Sequence, residues 1–285
     1  MHVFATPGEM RAWSRHQRAG GHRVGVVPTM GALHEGHLEL IRAAFAHADR
    51  VVVTIFVNPL QFNQSTDFDS YPRPIDDDLL HCEAAGVDAV YAPTAATMYS
   101  PRFQTHVEPG DLADRLEGPM RPGHFRGVVT VVTKLFGATT PDVAVFGRKD
   151  FQQLAIIRRM VDDLDMGVEI VGVPIVRESD GLARSSRNVR LTSADRLAAA
   201  VLSRALFAGR DLYVAGERDA AVIRSHVVDR ITAEPRAVVE YVELVDVATL
   251  RPLDHLDADT AAALLTAAWF GDVRLIDNVE LGDHA

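Results

Sequence analysis

Three consecutive segments near the amino terminus constrain the fold of this chain most strongly. Residues 24–27 are apolar, residues 28–37 read PTMGALHEGH, and residues 51–57 form a continuous run rich in β-branched side chains. Between the last two segments, apolar residues recur at helical spacing, namely at Leu38, Ile41, Ala44 and Phe45. Helical periodicity between two buried strands is typical of a βαβ unit. The sequence therefore predicts a strand, a turn containing glycine, a helix and a second, parallel strand.

Two histidines, His34 and His37, fall at the predicted turn between strand and helix. In a βαβ unit this turn lies at the carboxyl edge of the sheet, where the helix start offers backbone N–H groups and partial positive charge to an anion. A histidine near a helix start can equally be a cap or a surface residue, and two histidines one turn apart can bind a metal. The spacing is too short for the His-Glu-x-x-His zinc motif, and no third ligand is spaced nearby. From these residues alone, an anion site and a structural role remain equally open.

The composition limits the classes of partner. With 285 residues, the chain is long enough for one large or two moderate domains with a sizeable core. A hydrophobic content of 47% and a charged content of 24% are ordinary for a soluble protein. The formal net charge of −10 argues against nucleic acid as a general partner, because phosphate backbones require a basic surface. A small anionic substrate would therefore need a local cluster of cations.

The single cysteine, Cys82, excludes an intrachain disulfide and favours a reducing compartment. It lies within a predicted helix over residues 75–85, where we expect it to pack rather than react. Residues 1–20 contain no signal-peptide core, and no apolar run approaches the length that spans a membrane. We therefore expect a cytoplasmic protein with no membrane partner.

A second βαβ unit is predicted over residues 142–173, with strands at 142–146 and 168–173 and a helix at 151–164. Lys149 lies in its strand-to-helix turn, at the same sheet edge as His37 in the first unit. A lysine at a helix start is unfavourable against the helix dipole, so a bound anion would explain its presence. An ordinary surface lysine is the alternative.

Polar residues follow the strand at 51–57. Asn58 and Gln61 belong to a loop that leaves the same sheet edge, and loops after successive parallel strands line one crevice. We therefore expect both residues to face the histidines. Asn58 is also explained as a turn residue before Pro59, whereas Gln61 has no such structural explanation.

Each of the other charged and polar clusters can be interpreted as a binding site or as a structural or solvent-exposed feature. Asp76, Asp77 and Asp78 fall in the first turn of the helix at 75–85, where we expect a solvated cap that complements the helix dipole rather than a metal site. Residues 117–123 are predicted to form a loop before an apolar helix at 128–136, and residues 184–188 read RSSRN. That RSSRN segment offers donors suited to a polyphosphate, or is an ordinary capped loop. Four cations around the first loop suit a carboxylate or phosphate, or form a solvated face: Arg121, His124, Arg126 and Lys134.

The predicted secondary structure changes in the last third of the chain. Alanine-rich helices are predicted at 194–207 and 220–231, followed by alternating β patterns at 238–245 and 262–280. This change indicates a small α+β domain that begins near residue 177. The predicted class is α/β, with domains at 1–176 and 177–285.

Taken together, these motifs closely resemble those of the pantothenate synthetase, or pantoate–β-alanine ligase, family of the HxGH nucleotidyltransferase superfamily. The similarity runs almost end to end, which makes it far more specific than a single short motif. The matching motifs are PTMGALHEGH at 28–37, NPLQF at 58–62, YPR at 71–73, GHFRGV at 123–128, KLF at 134–136, KD at 149–150, QQL at 152–154 and SSRN at 185–188.

The resemblance implies a Rossmann-like, doubly wound parallel sheet in the first domain, a smaller lid-like second domain and a homodimer. It also implies a two-step reaction that leads toward coenzyme A. ATP and pantoate first give pantoyl adenylate and pyrophosphate with Mg²⁺, and β-alanine then displaces AMP to give pantothenate. The Mg²⁺ ligands are not identified by the resemblance.

Site residues are implied by position. His37 matches the residue with the catalytic acid role, His34 matches one that assists at the phosphates, and Lys149 is the third catalytic residue. Pantoate contacts are implied at Gln61, Gln153, Asn58 and Arg121, and Gln61 also borders the β-alanine site. ATP contacts are implied at Met30, Gly31, Ala32, Leu33, His34, Glu35, Gly36, His37, Gly147, Arg148, Lys149, Asp150, Val176, Arg184, Ser185, Ser186 and Arg187.

Two positions depart from the family pattern. Arg148 stands where the family usually has glutamate, and Arg184 stands where it usually has methionine or leucine. Both changes add positive charge beside the expected triphosphate, so we expect them to tune ATP affinity or to pair with Glu178 and Asp180. Two other functions stay open, a nucleotidyltransferase that adenylates a phosphate and a nucleotide-binding regulator without catalysis. The first would need more cations near the acceptor than Gln61 and Gln153 provide.

Overall fold

The computed structural model describes residues 1–63, 68–257 and 259–282. By its internal contacts the chain divides into two compact units, one formed by Met1–Arg148 and Ile156–Pro174, the other by Lys149–Ala155 and Ile175–Ala285. Each unit therefore consists of two separate stretches of the sequence. Two domains at 1–176 and 177–285 remain a prediction, because contacts alone do not define independent folding, and residues 283–285 lie outside the described residues.

The first unit contains a six-stranded sheet in which every neighbouring pair is parallel. This confirms the predicted Rossmann-like α/β class. The order in space is β1-β4-β3-β2-β5-β6, so the chain moves from β2 toward one edge and returns on the other side of β2 with β5. The carboxyl ends of β2 and β5 therefore flank the topological switch point, where open α/β sheets bind ligands. The strands are β1 (His2–Phe4), β2 (Val24–Thr29), β3 (Arg50–Ile55), β4 (Ala89–Tyr91), β5 (Val143–Gly147) and β6 (Glu169–Val173).

Seven helices connect these strands in the described part of the chain. Short 3₁₀ segments lie at Pro59–Gln61 and Asp111–Asp114. The helices are α1 (Pro7–Ala19), α2 (Glu35–His47), α3 (Ile75–Ala84), α4 (Ala95–Met98), α5 (Glu117–Met120), α6 (His124–Thr139) and α7 (Phe151–Asp163). Both predicted βαβ units are thus confirmed.

Local predictions failed where packing overrides pattern. The loop predicted at 117–123 contains α5, and a Cβ at Gly118 would lie 1.8 Å from the carbonyl oxygen of Ala113, so this glycine permits a close approach rather than marking a loop. Phe45, one of the apolar residues that recur at helical spacing in α2, is 38% exposed, whereas Ile41 and Ala44 are buried. Phe45 lies one residue beyond Ala44, which turns it about 100° away from the sheet.

The second unit combines helices with a three-stranded antiparallel sheet in the order β7-β8-β9. The helix predicted at 194–207 is two helices that break at Ala200, where neither glycine nor proline marks the end. The pattern predicted at 262–280 is a hairpin whose turn contains Gly271 at φ +57°. Its elements are α8 (Ser193–Ala199), α9 (Val201–Val214), α10 (Ala220–Thr232), β7 (Ala237–Asp246), β8 (Ala262–Phe270) and β9 (Val273–Leu281).

Each unit has its own hydrophobic core. In the first, Val27, Val53 and Val145 from the sheet are fully buried. In the second, Leu206 of α9 and Leu264 of β8 are fully buried in one cluster. Within the described residues, no helix has both the length and the apolar character needed to cross a membrane.

Candidate active site

The turn after β2 is held in an unusual conformation. Thr29 donates its hydroxyl proton to the carbonyl of Thr54 at 2.7 Å and accepts a hydrogen bond from the backbone N–H of Gly31 at 3.1 Å. Gly31 has φ +82°, and a Cβ there would lie 2.7 Å from a carboxylate oxygen of Asp78. Ala32, the next residue, also has a positive φ of 51°. Glycine is therefore required at position 31, and the turn needs outside support at position 32.

Asp78 of α3 supplies that support. Its two carboxylate oxygens accept hydrogen bonds from the backbone N–H groups of Ala32 at 2.9 Å and Leu33 at 2.7 Å. The side chain is only 1% exposed, so the predicted solvated cap is wrong for Asp78, although Asp76 and Asp77 are exposed as expected. Two backbone N–H groups of the segment that the resemblance assigns to ATP are thus hydrogen-bonded to a carboxylate of the protein itself.

His34 and His37 together form the cap of α2. Nδ1 of His34 accepts a hydrogen bond from the backbone N–H of Gly36 at 3.1 Å, and Nδ1 of His37 accepts one from the backbone N–H of His34 at 3.2 Å. The two ring centroids lie 4.1 Å apart. Because each Nδ1 is an acceptor, the neutral ring carries its proton on Nε2. The capping role left open by the sequence is therefore real, and in the neutral form of each ring the N–H donor is at Nε2.

The loop after β3 is organised by Asn58, whose side chain is 1% exposed. Its Oδ1 accepts hydrogen bonds from the hydroxyl of Tyr99 at 2.8 Å and the N–H of Leu60 at 3.3 Å. Its Nδ2 donates to Oε1 of Gln61 at 3.0 Å and to the carbonyl of Gly127 at 3.1 Å. Asn58 is therefore both the predicted turn residue and a direct neighbour of Gln61.

Gln61 joins this loop to the turn after β2, because its Nε2 lies 3.1 Å from Sδ of Met30. The start of α6 also contacts Gln61, because Nδ1 of His124 donates to the Gln61 carbonyl at 2.8 Å. A Cβ at Gly127 would lie 2.3 Å from the carbonyl oxygen of Leu60, so this glycine permits α6 to approach the loop. The GHFRGV motif thus positions Gln61.

Three of the four cations predicted around this motif have different neighbours. His124 is buried against the Gln61 loop, and Arg126 forms an ion pair with Glu108 at 3.0 Å. The ammonium of Lys134 lies over the Phe103 ring, 5.3 Å from its centroid. Arg121 directly follows α5. His124, Arg126 and Lys134 therefore lie in different environments.

In the second unit, the turn that carries Lys149 is anchored by the carboxyl-terminal strand. Nδ2 of Asn278 donates to the Lys149 carbonyl at 3.0 Å, and the N–H of Asn278 donates to Asp277 at 2.8 Å. Arg177 donates two hydrogen bonds to Asp277, at 2.7 and 3.0 Å. Burial raises the pKa of the Asp277 carboxyl, against the opposing pull of Arg177 and Lys149. Sequence reasoning missed Asn278 entirely, since it lies 129 residues from Lys149.

The segment that contains the RSSRN motif is an ordered, capped turn. Arg184 donates its N–H to the Val176 carbonyl at 2.9 Å, and Ser185 accepts at Oγ a hydrogen bond from the N–H of Arg187 at 3.2 Å. The latter bond caps a 3₁₀ segment at Ser186–Arg190. This agrees with the prediction of an ordinary capped loop. The hydroxyls of Ser185 and Ser186 are attached to a backbone that these hydrogen bonds hold in place. Gln153 of α7 is half-buried in the same unit.

Glu178 and Asp180, the acids considered as partners of Arg148 and Arg184, form ion pairs with Arg196. Arg196 binds Glu178 at 2.9 Å and Asp180 at 2.6 Å, whereas Arg148 donates to the Gly172 carbonyl at 3.2 Å. Although partial burial opposes ionisation of Glu178, hydrogen bonds from Arg196 and Asn188 lower its pKa, and the more distant charge of Arg184 acts in the same direction. A hydrogen bond from Arg196 likewise lowers the pKa of Asp180.

Across residues 1–63, 68–257 and 259–282, no group of three or more His, Cys, Asp or Glu side chains is placed to hold a metal ion. His34 and His37 both use Nδ1 for backbone hydrogen bonds. The described residues therefore do not form a metal site made by protein ligands alone.

Comparison with known proteins identifies one family along almost the whole chain. The sequence profile of the family described as Pantoate-beta-alanine ligase matches residues 2–280. A pantothenate synthetase from Heliobacterium modesticaldum is 53% identical over 279 residues, which cover 98% of this chain and 99% of that protein. One from Chlorobium chlorochromatii is 49% identical, with coverage of 99% and 97%.

Solved structures give the same result. A crystal structure of pantothenate synthetase from Thermus thermophilus is 43% identical, with a TM-score of 0.93 and coverage of 99% of this chain and 100% of that one. A pantoate-beta-alanine ligase from Francisella tularensis, complexed with beta-gamma ATP and beta-alanine, is 32% identical with a TM-score of 0.81. The coverage is 98% of this chain and 97% of that one.

Proposed function

Because the chain belongs to the pantoate–β-alanine ligase family, we propose that it joins pantoate to β-alanine through a pantoyl-adenylate intermediate, with release of pyrophosphate and AMP. As a member of this family it is a ligase, and pantothenate is the product that the family name implies. The complex of the Francisella tularensis relative with beta-gamma ATP and beta-alanine supports ATP and β-alanine as substrates.

The observation that carries the proposal is the reciprocal cap of His34 and His37 beside the switch point of the sheet. In the first step, a carboxylate oxygen of pantoate attacks the α-phosphorus of ATP, and the bond to pyrophosphate breaks. The attack needs no protein nucleophile, so the enzyme must align two anions and stabilise the charge that grows on the phosphate oxygens. Two fixed Nε2–H donors are suited to that task, and His37 takes the role of acid.

Further phosphate donors are expected from the family resemblance. We assign Lys149, Ser185, Ser186 and Arg187 to the ATP phosphates, together with the turn at 147–150, Val176 and Arg184. Lys149 supplies a full positive charge, and the hydroxyls supply neutral donors from a capped backbone. Mg²⁺ would accompany the triphosphate and be held largely by phosphate oxygens and water, as this ion usually is. The described residues form no metal site of their own.

The acceptor side is lined mainly by amide side chains. We assign pantoate to Gln61 and Gln153, with Asn58 and Arg121 nearby, and β-alanine to the region beside Gln61. In the second step the β-alanine amine attacks the acyl carbon, and the bond to AMP breaks. An amide-lined acceptor site agrees with a carboxylate acceptor better than with a phosphate, which would need more positive charge. A homodimer in the cytoplasm completes the proposal, and light scattering of the purified protein tests its oligomeric state.

The decisive experiment follows both products. Pyrophosphate release from ATP should require pantoate, and pantothenate should form only when β-alanine is added. An enzyme that adenylates a phosphate would instead respond to a phosphorylated acceptor, and a regulator would release no pyrophosphate. Release of pyrophosphate without pantoate would overturn the proposal.

A further inference from the structure

A short chain of hydrogen bonds ends at the amide of Gln61. The hydroxyl of Tyr99, which follows α4, donates to Oδ1 of Asn58 at 2.8 Å, and Nδ2 of Asn58 donates to Oε1 of Gln61 at 3.0 Å. Tyr99 lies 41 residues from Asn58 in the sequence. Neither the sequence patterns nor the site assignments above involve Tyr99.

Backbone groups determine the direction of this chain. The N–H of Leu60 can only donate, so the Asn58 atom that faces it must be the oxygen. The carbonyl of Gly127 can only accept, so the Asn58 atom that faces it must be the nitrogen. The Gln61 atom that meets this nitrogen must then be its oxygen. Consequently the amide nitrogen of Gln61 points away from Asn58 and toward Met30, whose Sδ lies 3.1 Å from it.

We propose that Tyr99 is a positioning residue that, through Asn58, holds Gln61 with its NH₂ group toward the acceptor substrate. This inference rests on the proposed function, in which Gln61 contacts pantoate. Because the Gln61 oxygen faces Asn58, the side of the amide turned away from Asn58 is its NH₂ group, a donor that suits an acceptor with carboxylate or hydroxyl oxygens. The hydroxyl of Tyr99 thereby affects recognition of the hydroxy acid without contact to it.

The surroundings of Tyr99 keep its hydroxyl a donor. The ring packs against Phe103 at 4.9 Å and Phe56 at 6.1 Å between centroids, and the ammonium of Lys134 lies 5.7 Å from the ring centre. Burial raises the pKa of the Tyr99 phenol above its ordinary value, so the group stays protonated at neutral pH. Replacement by phenylalanine retains the ring packing and removes only the hydroxyl.

The test compares steady-state constants of the full chain for pantoate and for ATP. Tyr99→Phe should raise the KM for pantoate by about three- to tenfold, the effect of one net hydrogen bond, and leave the KM for ATP unchanged. Tyr91→Phe is the matched control, because Tyr91 is a more deeply buried tyrosine of β4. That control should change neither constant.

A second variant tests the orientation of the amide directly. Gln61→Glu keeps an oxygen for Asn58 but replaces the NH₂ group by a second acceptor, so it should weaken pantoate binding more than Tyr99→Phe does. Wild-type pantoate affinity in either variant, or an equal rise of both KM values in Tyr99→Phe, would overturn the inference. Failure of the wild-type protein to form pantothenate would instead overturn the proposed function, so the two failures are distinguishable.

Discussion

Nδ1 of His37 accepts a hydrogen bond from the backbone N–H of His34 at 3.2 Å, so the start of α2 and the proposed phosphate donors are built from the same two side chains. In an ordinary capping box the reciprocal partners are a hydroxyl residue and a glutamate or glutamine. Here two imidazoles fill both roles. The hydrogen bonds that cap the helix therefore also orient each imidazole ring.

This double role makes the choice of substitution at position 37 important. His37→Ala removes both the cap and the donor, and it should lower turnover by about a hundredfold or more, the scale for loss of one preorganised donor. It should also reduce stability by about 1 kcal/mol, as loss of a capping group does. His37→Gln restores a capping acceptor without an imidazole, so it should recover the stability but not the turnover. Normal turnover in His37→Gln would remove His37 from the mechanism.

The turn that precedes these histidines depends on Asp78. Asp78→Asn places an amide NH₂ opposite a backbone N–H, so it should lower the free energy of unfolding by about 1–3 kcal/mol, the cost of an unsatisfied buried group. Because the turn belongs to the proposed ATP segment, the KM for ATP should rise as well. Denaturant titration and steady-state kinetics measure the two effects. Asp77→Asn, at an exposed neighbour, is the control, and equal behaviour of the two variants would contradict the role of Asp78.

Lys149 is assigned to the phosphates, and Asn278 holds its backbone. Lys149→Ala should lower turnover by about a hundredfold, and wild-type use of ATP by this variant would identify Lys149 as a surface lysine.

Asn278→Ala should raise the KM for ATP by about threefold to tenfold, because one hydrogen bond to the turn is lost. An unchanged KM for ATP in Asn278→Ala would show that the turn holds its shape without β9.

Acid should weaken the pairing of Arg196 with Glu178 and Asp180. The pKa of each carboxyl is lowered in the folded chain, from ordinary values of 4.5 and 3.8. The pairs therefore stabilise the fold above those values, and this contribution disappears as the pH falls through the folded pKa values. Arg196→Met should cost about 1 kcal/mol at pH 7, since the pairs are partly exposed, and less near pH 3. Unfolding curves at both pH values test this, with Arg204→Met as the exposed control; a cost independent of pH would contradict it.

Cys82 should be inert in the folded protein. Its side chain is fully buried in α3, and burial raises the pKa of the thiol to about 12. Since the thiolate is the reactive form, labelling by a disulfide reagent at pH 8 should be very slow in the native state and rapid in guanidinium chloride. Stoichiometric labelling of the native protein within minutes would show that this helix opens readily.

Much of this protein could be predicted from local pattern. The apolar runs and helical spacing between residues 24 and 57 predicted the βαβ unit, and the second unit at 142–173 followed from the same reasoning. Parallel strands place their following turns at one edge, so the sequence predicts His34, His37 and Lys149 as candidate site residues. These features depend on residues close in sequence, and the physical signal is therefore present in the sequence itself.

Tertiary structure alone decided which side chains support those turns. Asp76, Asp77 and Asp78 are indistinguishable in sequence, and only the packing of α3 turns the third toward the N–H groups of Ala32 and Leu33, about 46 residues away. The bonds from Tyr99 to Asn58 and from Asn278 to the Lys149 carbonyl likewise join distant segments. A buried donor or acceptor must be paired, but its partner is chosen by three-dimensional proximity. The sequence therefore identified the candidate groups of the site, whereas the folded structure determined how they are held.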